Sequence, residues 1–172
     1  MHSNAPTAAT LCVASLLLLP GTILAQDQPP AKAEDQQKAA GVSAEIARAS
    51  FASSLGVDLS AMRQTPRGAY VRDLSVGAGP EAVSGSQAAI HYVGSFANGK
   101  QFDANGPNDQ PLEFRVNAGE VVPGFDEGVT GMKVGGRRQV IIPPALGYGA
   151  KDYGTIPGNS ILVFSIDLVR VQ

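Results

Sequence analysis

The segment Gly119–Met132, with the sequence GEVVPGFDEGVTGM, constrains the fold more than any other part of the chain. It begins with an extended pattern and continues as a short helical one, in which Phe125, Val129 and Met132 fall on one face. Pro123 suits the first helical turn, where its missing N–H would be unpaired in any case. A helix this short needs an apolar surface to dock on. We therefore predict that it lies across a twisted sheet and that Phe125 forms the floor of a small apolar pocket.

Composition limits the classes of protein to which the chain can belong. The 172 residues carry a net charge of −2 and include 20 Gly, 12 Pro and no Trp. This favours one turn-rich β or α+β domain with appendages and offers no basic surface for nucleic acid. Cys12 is the one cysteine, and His2 and His91 are the two histidines. A mature protein without the N-terminal run would have no thiol nucleophile and no multi-histidine metal site, and a Ser-His-Asp hydrolase would have to use His91.

The N-terminal residues predict export. Leu11–Leu19 is almost wholly apolar and is followed by Pro20–Gly21 and then by Ala25. This pattern is typical of a signal peptide at residues 1–25 that is cleaved after Ala25. No Lys or Arg precedes the apolar run, so an uncleaved anchor facing the periplasm, or neither kind of segment, remains an alternative. The main expectation is a periplasmic protein without stable membrane insertion after signal removal.

Residues 26–65 are predicted to be a linker that contains a short amphipathic helix. Gln26–Lys38 is rich in Pro, Ala, Gln and charge, as tethers are. Ala40–Leu55 has a weak helical pattern that ends before Gly56. This helix is interpreted either as a spacer or as an arm for dimerisation or chaperone activity. The folded domain is predicted to occupy residues 66–172, after the turn signal at Thr65–Gly68.

Alternating segments predict five or six strands and a long loop. The predicted strands are Ala69–Val76, Ala88–Gly94, Gln101–Asp103, Leu112–Val116, Arg137–Ile142 and Ile161–Val169. In the last of these, Leu162, Phe164, Ile166 and Leu168 share one face. Leu146–Ser160 is too long to be a simple connection in a compact domain, which favours a functional loop.

Three local signals refine this outline. Asn98–Gly99 predicts a two-residue hairpin between the second and third predicted strands. Gly135–Gly136 is expected to end the short helix. Arg137 and Arg138 are expected to be solvated at the start of their strand, and His91 is expected to be structural, since it faces away from Tyr92.

Four segments resemble FKBP-type peptidyl-prolyl isomerases. They are HYVGSFANGKQFD from His91, GEVVPGFDEGVTGMKVGG from Gly119, IPPALGYG from Ile142 and SILVFSIDLV from Ser160. The resemblance extends over Tyr70–Val171, with its core at about residues 85–172, and Ser50–Leu59 with TPRGAY is similar to bacterial exported members of the macrophage infectivity potentiator group. It implies an α+β fold in which a curved antiparallel half-barrel of five to six strands wraps around one short helix.

The resemblance also implies a reaction, namely cis-trans rotation about Xaa-Pro peptide bonds in the folding of exported proteins. No covalent bond breaks, so no metal or other cofactor is required. The expected partners are proline-containing polypeptides, with tacrolimus and rapamycin as possible ligands. A non-catalytic chaperone or binding module with the same fold is the alternative.

Residue roles follow from the same resemblance. The implied catalytic residues are Tyr92, Phe102, Asp103, Val122, Phe125, Tyr148 and Phe164, and the implied substrate-binding residues are Glu120, Val121, Ile156 and Leu112. Phe125 would support the proline ring, while the Val122 N–H and the Tyr148 hydroxyl would donate to substrate carbonyls. Truncation of Phe125 is therefore expected to impair catalysis more than folding.

Pattern alone leaves several of these roles open. On pattern alone, Phe102, Phe164 and Tyr92 are more typical of an ordinary core, and only the resemblance assigns them to a pocket. Glu120 is either a surface carboxylate or a contributor of its backbone carbonyl. Asn108 stands where some family members carry an arginine that pairs with the pocket carboxylate. Asp103 is therefore expected to be held by Tyr92 or by water.

Overall fold

A computed structural model of the protein describes residues 44–172. The predicted signal peptide and the first part of the predicted linker lie outside the described residues. Within the described part, no helix is long and apolar enough to cross a membrane.

The described chain forms one open antiparallel sheet. Its strands are β1 (Arg63–Gln64), β2 (Tyr70–Ser75), β3 (Gln87–Phe96), β4 (Gln101–Asn105), β5 (Leu112–Arg115), β6 (Arg137–Ile142) and β7 (Leu162–Val171). They lie in the order β1-β2-β6-β7-β3-β4, and β5 also pairs with β3. The α+β prediction is confirmed, and the two-residue β1 is the strand that the sequence pattern missed.

The long strand β3 organises the half of the sheet that carries the site. Its first half, Gln87–Ile90, pairs with β5, and its second half, Tyr92–Ser95, pairs with β4. On its other edge it pairs with β7 along almost its whole length. One strand thus brings β4, β5 and β7 to a common region of the sheet.

The central helix, Pro123–Val129, packs on the inner face of the sheet. Pro123 occupies the first turn as predicted, and Phe125, Val129 and Met132 are all buried. Two glycines let the helix approach β6 closely. A Cβ at Gly124 would lie 2.5 Å from Ile142 Cγ2, and one at Gly128 would lie 2.8 Å from Val140 Cγ1. Real Cβ atoms do not approach other atoms this closely. The helix can therefore pack this near to β6 only because Gly124 and Gly128 have no side chain.

The predicted end of the helix at Gly135–Gly136 is wrong. The helix ends at Val129 with Thr130 as its C-cap, and Gly131 follows with a φ of 77° in the left-handed region. Glycine is the residue that adopts this conformation without steric cost, so the stop comes one turn earlier than predicted.

The hairpin between β3 and β4 is also longer than predicted. The Phe96 N–H donates to the Lys100 carbonyl, which encloses three residues instead of two. Gly99 has a φ of 85°, and the Asn98 side chain accepts from the Lys100 N–H at 3.0 Å. The signal located the hairpin correctly but not the length of its turn.

The two faces of the sheet carry separate apolar clusters. On the inner face, Leu162, Phe164, Ile166 and Leu168 of β7 are buried together with the central helix, as their alternation predicts. On the outer face, Ile141 of β6 and Val163 of β7 form a smaller cluster with Ile46. The alternation of side chains along each strand explains this division.

The segment before β1 covers the outer cluster. The helix predicted over Ala40–Leu55 is not continuous, because residues 44–48 are helical but residues 49–52 are not, and Ser53–Leu55 is a separate 3-10 turn. The apolar side chains of this segment pack against the outer cluster that contains Ile141 and Val163. The side chains that do so are Phe51, Leu55, Val57, Leu59 and Met62. We call residues 44–62 the outer strap. It is also tied to the β3–β4 hairpin, where the Ala52 N–H donates to the Ala97 carbonyl at 2.9 Å.

The prediction that both arginines at the start of β6 are solvated is wrong for Arg138. Arg137 is exposed and pairs with Asp167 through two hydrogen bonds. Arg138 is only 3% exposed. Its Nε lies 2.6 Å from Asp73 Oδ1, and its Nη1 donates to the Gly128 and Thr130 carbonyls at 3.0 Å each. Arg138 therefore satisfies carbonyls at the end of the central helix, where positive charge is favourable.

Candidate active site

A cavity of about 380 Å³ opens between the central helix and the strands around β3. It is lined by Tyr92, Phe102, Asp103, Leu112, Glu120, Val121, Val122, Phe125, Tyr148, Tyr153 and Phe164. Every site residue predicted from the sequence is on this wall except Ile156, and Tyr153 is an addition. The roles of these residues remain predictions, but the fold brings them together around one space.

Phe125 lies at the base of the cavity on the central helix. Its ring makes edge-to-face contacts with Tyr92, Phe114 and Phe164, with centroids 5.9, 5.9 and 5.0 Å apart. It is only 4% exposed and belongs to the main apolar core. Phe125 is thus both a core residue and a lining residue.

A glycine makes room for the aromatic side wall. The rings of Phe102 and Phe164 meet edge to face at 5.7 Å. A Cβ at Gly94 would lie 2.8 Å from each ring. Any other residue at this position of β3 would have to displace one of them. Sequence reasoning missed this role of Gly94 in shaping the cavity wall, since a single glycine in a strand signals close approach but not the approaching group.

The Tyr92 hydroxyl donates to Asp103 Oδ2 at 2.6 Å across β3 and β4. Asp103 Oδ1 also accepts from the Ala104 N–H at 2.9 Å. Of the two partners expected for Asp103, the structure therefore shows Tyr92. Burial raises the pKa of Tyr92, and the hydrogen bond and charge of Asp103 raise that pKa further. Tyr92 consequently stays a neutral donor near neutral pH and fixes the orientation of the carboxylate.

The loop after β6 places two tyrosines at the rim. Tyr148 follows the 3-10 turn Pro144–Leu146 and stacks on Tyr153, with centroids 4.9 Å apart and planes 19° apart. Within residues 44–172, the Tyr148 hydroxyl has no hydrogen-bond partner, so it is available to a ligand. Burial raises the pKa of Tyr148, with smaller contributions from Tyr153 and Asp103. It therefore remains a hydrogen-bond donor at neutral pH.

Ile156, predicted to bind substrate, lies elsewhere. It is 7% exposed and belongs to the main core beneath the loop. Its backbone exchanges two hydrogen bonds of 2.9 Å with Tyr153, which holds the loop in a tight turn. Ile156 is therefore placed to support Tyr153 from below. Tyr153, in contrast, is 64% exposed and forms part of the rim.

Backbone groups complete the rim at the start of the central helix. The Val122 carbonyl accepts from the Phe125 and Asp126 N–H groups, as expected of an N-cap. The Val122 N–H has no acceptor among the described residues, so it is free to donate to a ligand. The Glu120 carboxylate accepts from the Arg115 N–H at 3.0 Å and shapes the turn beside the cavity.

This constellation suits binding and conformational catalysis better than bond cleavage. His91 Nδ1 lies 2.6 Å from Asn105 Oδ1 and is not on the cavity wall, so no histidine stands beside a nucleophile there. Among residues 44–172, no cluster of three or more His, Cys, Asp or Glu side chains could hold a metal ion. The cavity instead offers an apolar aromatic space with a few hydrogen-bonding groups at its edge.

Comparison with known proteins connects this geometry to a family. Residues 79–169 match the family model described as FKBP-type peptidyl-prolyl cis-trans isomerase. The chain is similar to FK506-binding protein 3 of Candida albicans, with 47% identity over 61% of this chain, but it spans only 24% of that protein's length. It is also similar to an FK506-binding protein of Streptomyces anulatus, with 44% identity over 63% of this chain and 90% of that protein.

A solved structure shows a similar fold. The crystal structure of FkpA from Escherichia coli has a TM-score of 0.61 and 28% sequence identity to this chain. The match covers 81% of this chain and 60% of that one. This share is larger than the span of the family match, so the likeness to FkpA includes residues outside that span.

Proposed function

Because the chain belongs to the FKBP-type peptidyl-prolyl cis-trans isomerase family, we propose that it catalyses rotation about Xaa-Pro bonds in proline-containing polypeptides. The observation that carries this proposal is the aromatic cavity floored by Phe125, with free donors from Val122 and Tyr148 at its rim. A proline ring is compact and apolar, and it fits a space enclosed by aromatic edges. The peptide bond before the proline would then lie at the rim, within reach of the donors.

The barrier to this rotation comes from amide resonance and amounts to about 18–20 kcal/mol. Uncatalysed exchange therefore takes roughly tens of seconds. Bringing it to milliseconds requires a barrier lower by about 5–6 kcal/mol. A twisted amide is less polar along its C–N bond than a planar one, so an apolar site destabilises it less than it destabilises the planar ground state. The rings of Phe102, Phe125 and Phe164 would provide such a site.

The rim groups would hold the rest of the substrate while the bond rotates. The Val122 N–H would donate to one substrate carbonyl and the Tyr148 hydroxyl to another. Each hydrogen bond contributes about 0.5–1.5 kcal/mol net when both partners exchange water for each other. Hydrogen bonds to the substrate peptide on both sides of the proline would hold the rotating bond in a fixed orientation, and the free energy of binding would supply the cost of that ordering.

A peptide exchange assay tests the proposal. The purified protein should accelerate cis-trans exchange of a short Xaa-Pro peptide measured by NMR, and tacrolimus or rapamycin should compete for the cavity. Tyr148→Phe and Phe125→Ala should both be slower than wild type. The proposal fails if no acceleration is seen, or if both variants match wild type. Suppression of aggregation that survives these substitutions and requires residues 26–65 would instead support the non-catalytic chaperone.

We further propose that the protein is exported, acts in the periplasm on the folding of exported proteins, and belongs with the bacterial macrophage infectivity potentiator group. The support is the apolar run at Leu11–Leu19 with Ala25 after it, together with the likeness to FkpA. Cell fractionation and mass spectrometry of the purified protein test this. A mature N-terminus at Gln26 in the periplasmic fraction is expected. A full-length protein in the membrane fraction would favour the anchor, and one in the cytoplasm would refute export.

A further inference from the structure

The candidate active site carries negative charge without a compensating cation. Asp103 and Glu120 are the charged residues on the cavity wall, and no lysine or arginine lines it. The ion pairs in the described part of the chain are Arg137–Asp167, Arg138–Asp73 and Arg170–Glu113. Neither cavity carboxylate takes part in one of them.

Arg115, the basic residue nearest to Glu120 in sequence, points away from the cavity. Along β5, Leu112 lines the cavity and Phe114 is buried in the core. Because side chains alternate along a strand, Glu113 and Arg115 face the other way, where Glu113 meets Arg170. Arg115 approaches Glu120 only through its backbone N–H.

The phenols of Tyr92 and Tyr148 on the cavity wall also indicate that no cation is near. The pKa values of Tyr92 and Tyr148 are raised, first by burial and then by negative or phenolic neighbours. A nearby lysine or arginine would lower them, and among the described residues none contributes to either pKa.

Both carboxylates are held by neutral donors. Asp103 accepts from the Tyr92 hydroxyl and the Ala104 N–H, and Glu120 accepts from the Arg115 N–H. Such bonds fix the position of a carboxylate but leave its charge in place. The cavity therefore presents two fixed negative charges beside an apolar floor.

We propose that this charge sets substrate specificity, so that Xaa-Pro segments with a lysine or arginine directly before or after the proline are preferred over segments with glutamate or aspartate there. This inference rests on the proposed isomerase function and names its substrate class. The proline ring occupies the aromatic floor, and the flanking side chain lies at the rim beside Asp103 and Glu120. A cation there is attracted by both carboxylates, whereas an anion is repelled by both.

The test uses blocked peptides Ala-Xaa-Pro-Ala with lysine, glutamine or glutamate at Xaa, and a second set with these residues after the proline. NMR exchange gives kcat/KM, and NMR shift titration gives Kd for the same peptides. In the more responsive set, we expect kcat/KM for lysine to exceed that for glutamate by about tenfold at 10 mM ionic strength. In 1 M salt the ratio should fall to about twofold, because the screening length shrinks from about 30 Å to about 3 Å.

Glu120→Gln should lower the lysine-to-glutamate ratio at least twofold, because it removes one of the two negative charges. The local structure should be kept, since the amide oxygen can still accept from the Arg115 N–H. Glu81→Gln, which removes an exposed carboxylate away from the cavity, is the matched control and should leave the ratio unchanged. A ratio near one in both peptide sets at low salt, or an equal effect of the two substitutions, overturns the proposal. Absence of exchange with every peptide would refute the isomerase function, while the ratio of Kd values would still decide the charge preference.

Discussion

Replacement of Phe125 by alanine separates the two roles of this residue, because the cavity floor and the main core share its ring. The ring is 4% exposed and has three edge-to-face partners, Tyr92, Phe114 and Phe164. Truncation of a buried phenylalanine costs about 3–5 kcal/mol in free energy of unfolding. The space left by the ring would open into the existing cavity and could fill with water. We therefore expect a loss near the lower end, about 3 kcal/mol.

The effect on catalysis should be of similar size. An apolar group that loses its buried contact surface loses about 1.5–3 kcal/mol. For the bound proline ring this corresponds to a fall in kcat/KM of about 10- to 100-fold, at 1.4 kcal/mol per factor of ten. The sequence alone predicted that truncation of Phe125 impairs catalysis more than folding. Because Phe125 is more deeply buried than a residue that only lines a cavity, we now expect comparable losses in the free energy of unfolding and in the activation free energy for catalysis.

Two measurements check this reasoning. Urea unfolding followed by circular dichroism gives the loss of stability, and NMR exchange with an Xaa-Pro peptide gives kcat/KM at a temperature where the variant is folded. Phe125→Leu is the matched control, since it keeps an apolar floor and should lose about 1 kcal/mol of stability and less than tenfold in kcat/KM. A folded alanine variant with wild-type kcat/KM would refute the floor role. An alanine variant with wild-type stability would refute the core role.

Further substitutions address other features of the structure. Arg138→Met should lower the free energy of unfolding by about 3 kcal/mol, because Asp73 and two helix carbonyls lose their donor, while Arg137→Met at the exposed pair should cost less than about 1 kcal/mol in the same urea experiment. Tyr148→Phe should reduce kcat/KM about three- to tenfold with unchanged stability, since one rim donor is lost; an unchanged kcat/KM would remove Tyr148 from the mechanism. Burial raises the pKa of Glu127 despite its hydrogen bond from Thr65. Its folded pKa thus lies above the unfolded value of about 4.3, so its contribution to stability is complete below that value and is lost as pH rises through the folded pKa. Glu127→Gln should abolish this part of the pH dependence in urea titrations, and an unaltered profile would contradict the assignment.

The elements that were predicted well are those in which local pattern and tertiary environment agree. The alternation in β7 gave its buried face correctly, because each strand residue points to one face only. The spacing of Phe125 and Val129 likewise identified the buried face of the central helix. The cavity residues were found through family resemblance, since periodicity cannot distinguish a side chain that lines a cavity from one that fills the core. Phe125 shows the reason, as it does both.

The predictions that failed depend on distant parts of the chain. Arg138 was expected in solvent because arginine usually is, and its burial depends on Asp73 and on carbonyls of the central helix. Ile156 was placed on the cavity wall by the family resemblance, and it instead belongs to the buried core beneath the loop. The large apolar residues of the outer strap follow neither a helical nor a strand period, so the pattern does not signal a packed segment by itself. Its packing follows from the tertiary structure, because Ile141 and Val163 on the outer face of the sheet would otherwise be exposed to water.

The outer strap packs on the sheet although it lies outside the residues that match the family model. The family match spans residues 79–169, so it begins after β2 and omits the strap entirely. A fragment cut to that span would expose the outer cluster around Ile141 and Val163 to water. It would also release the tie between Ala52 and the hairpin that leads into Phe102 and Asp103. A stretch of chain outside the family match thus shields the outer face of β6 and β7, whose inner face carries the main core.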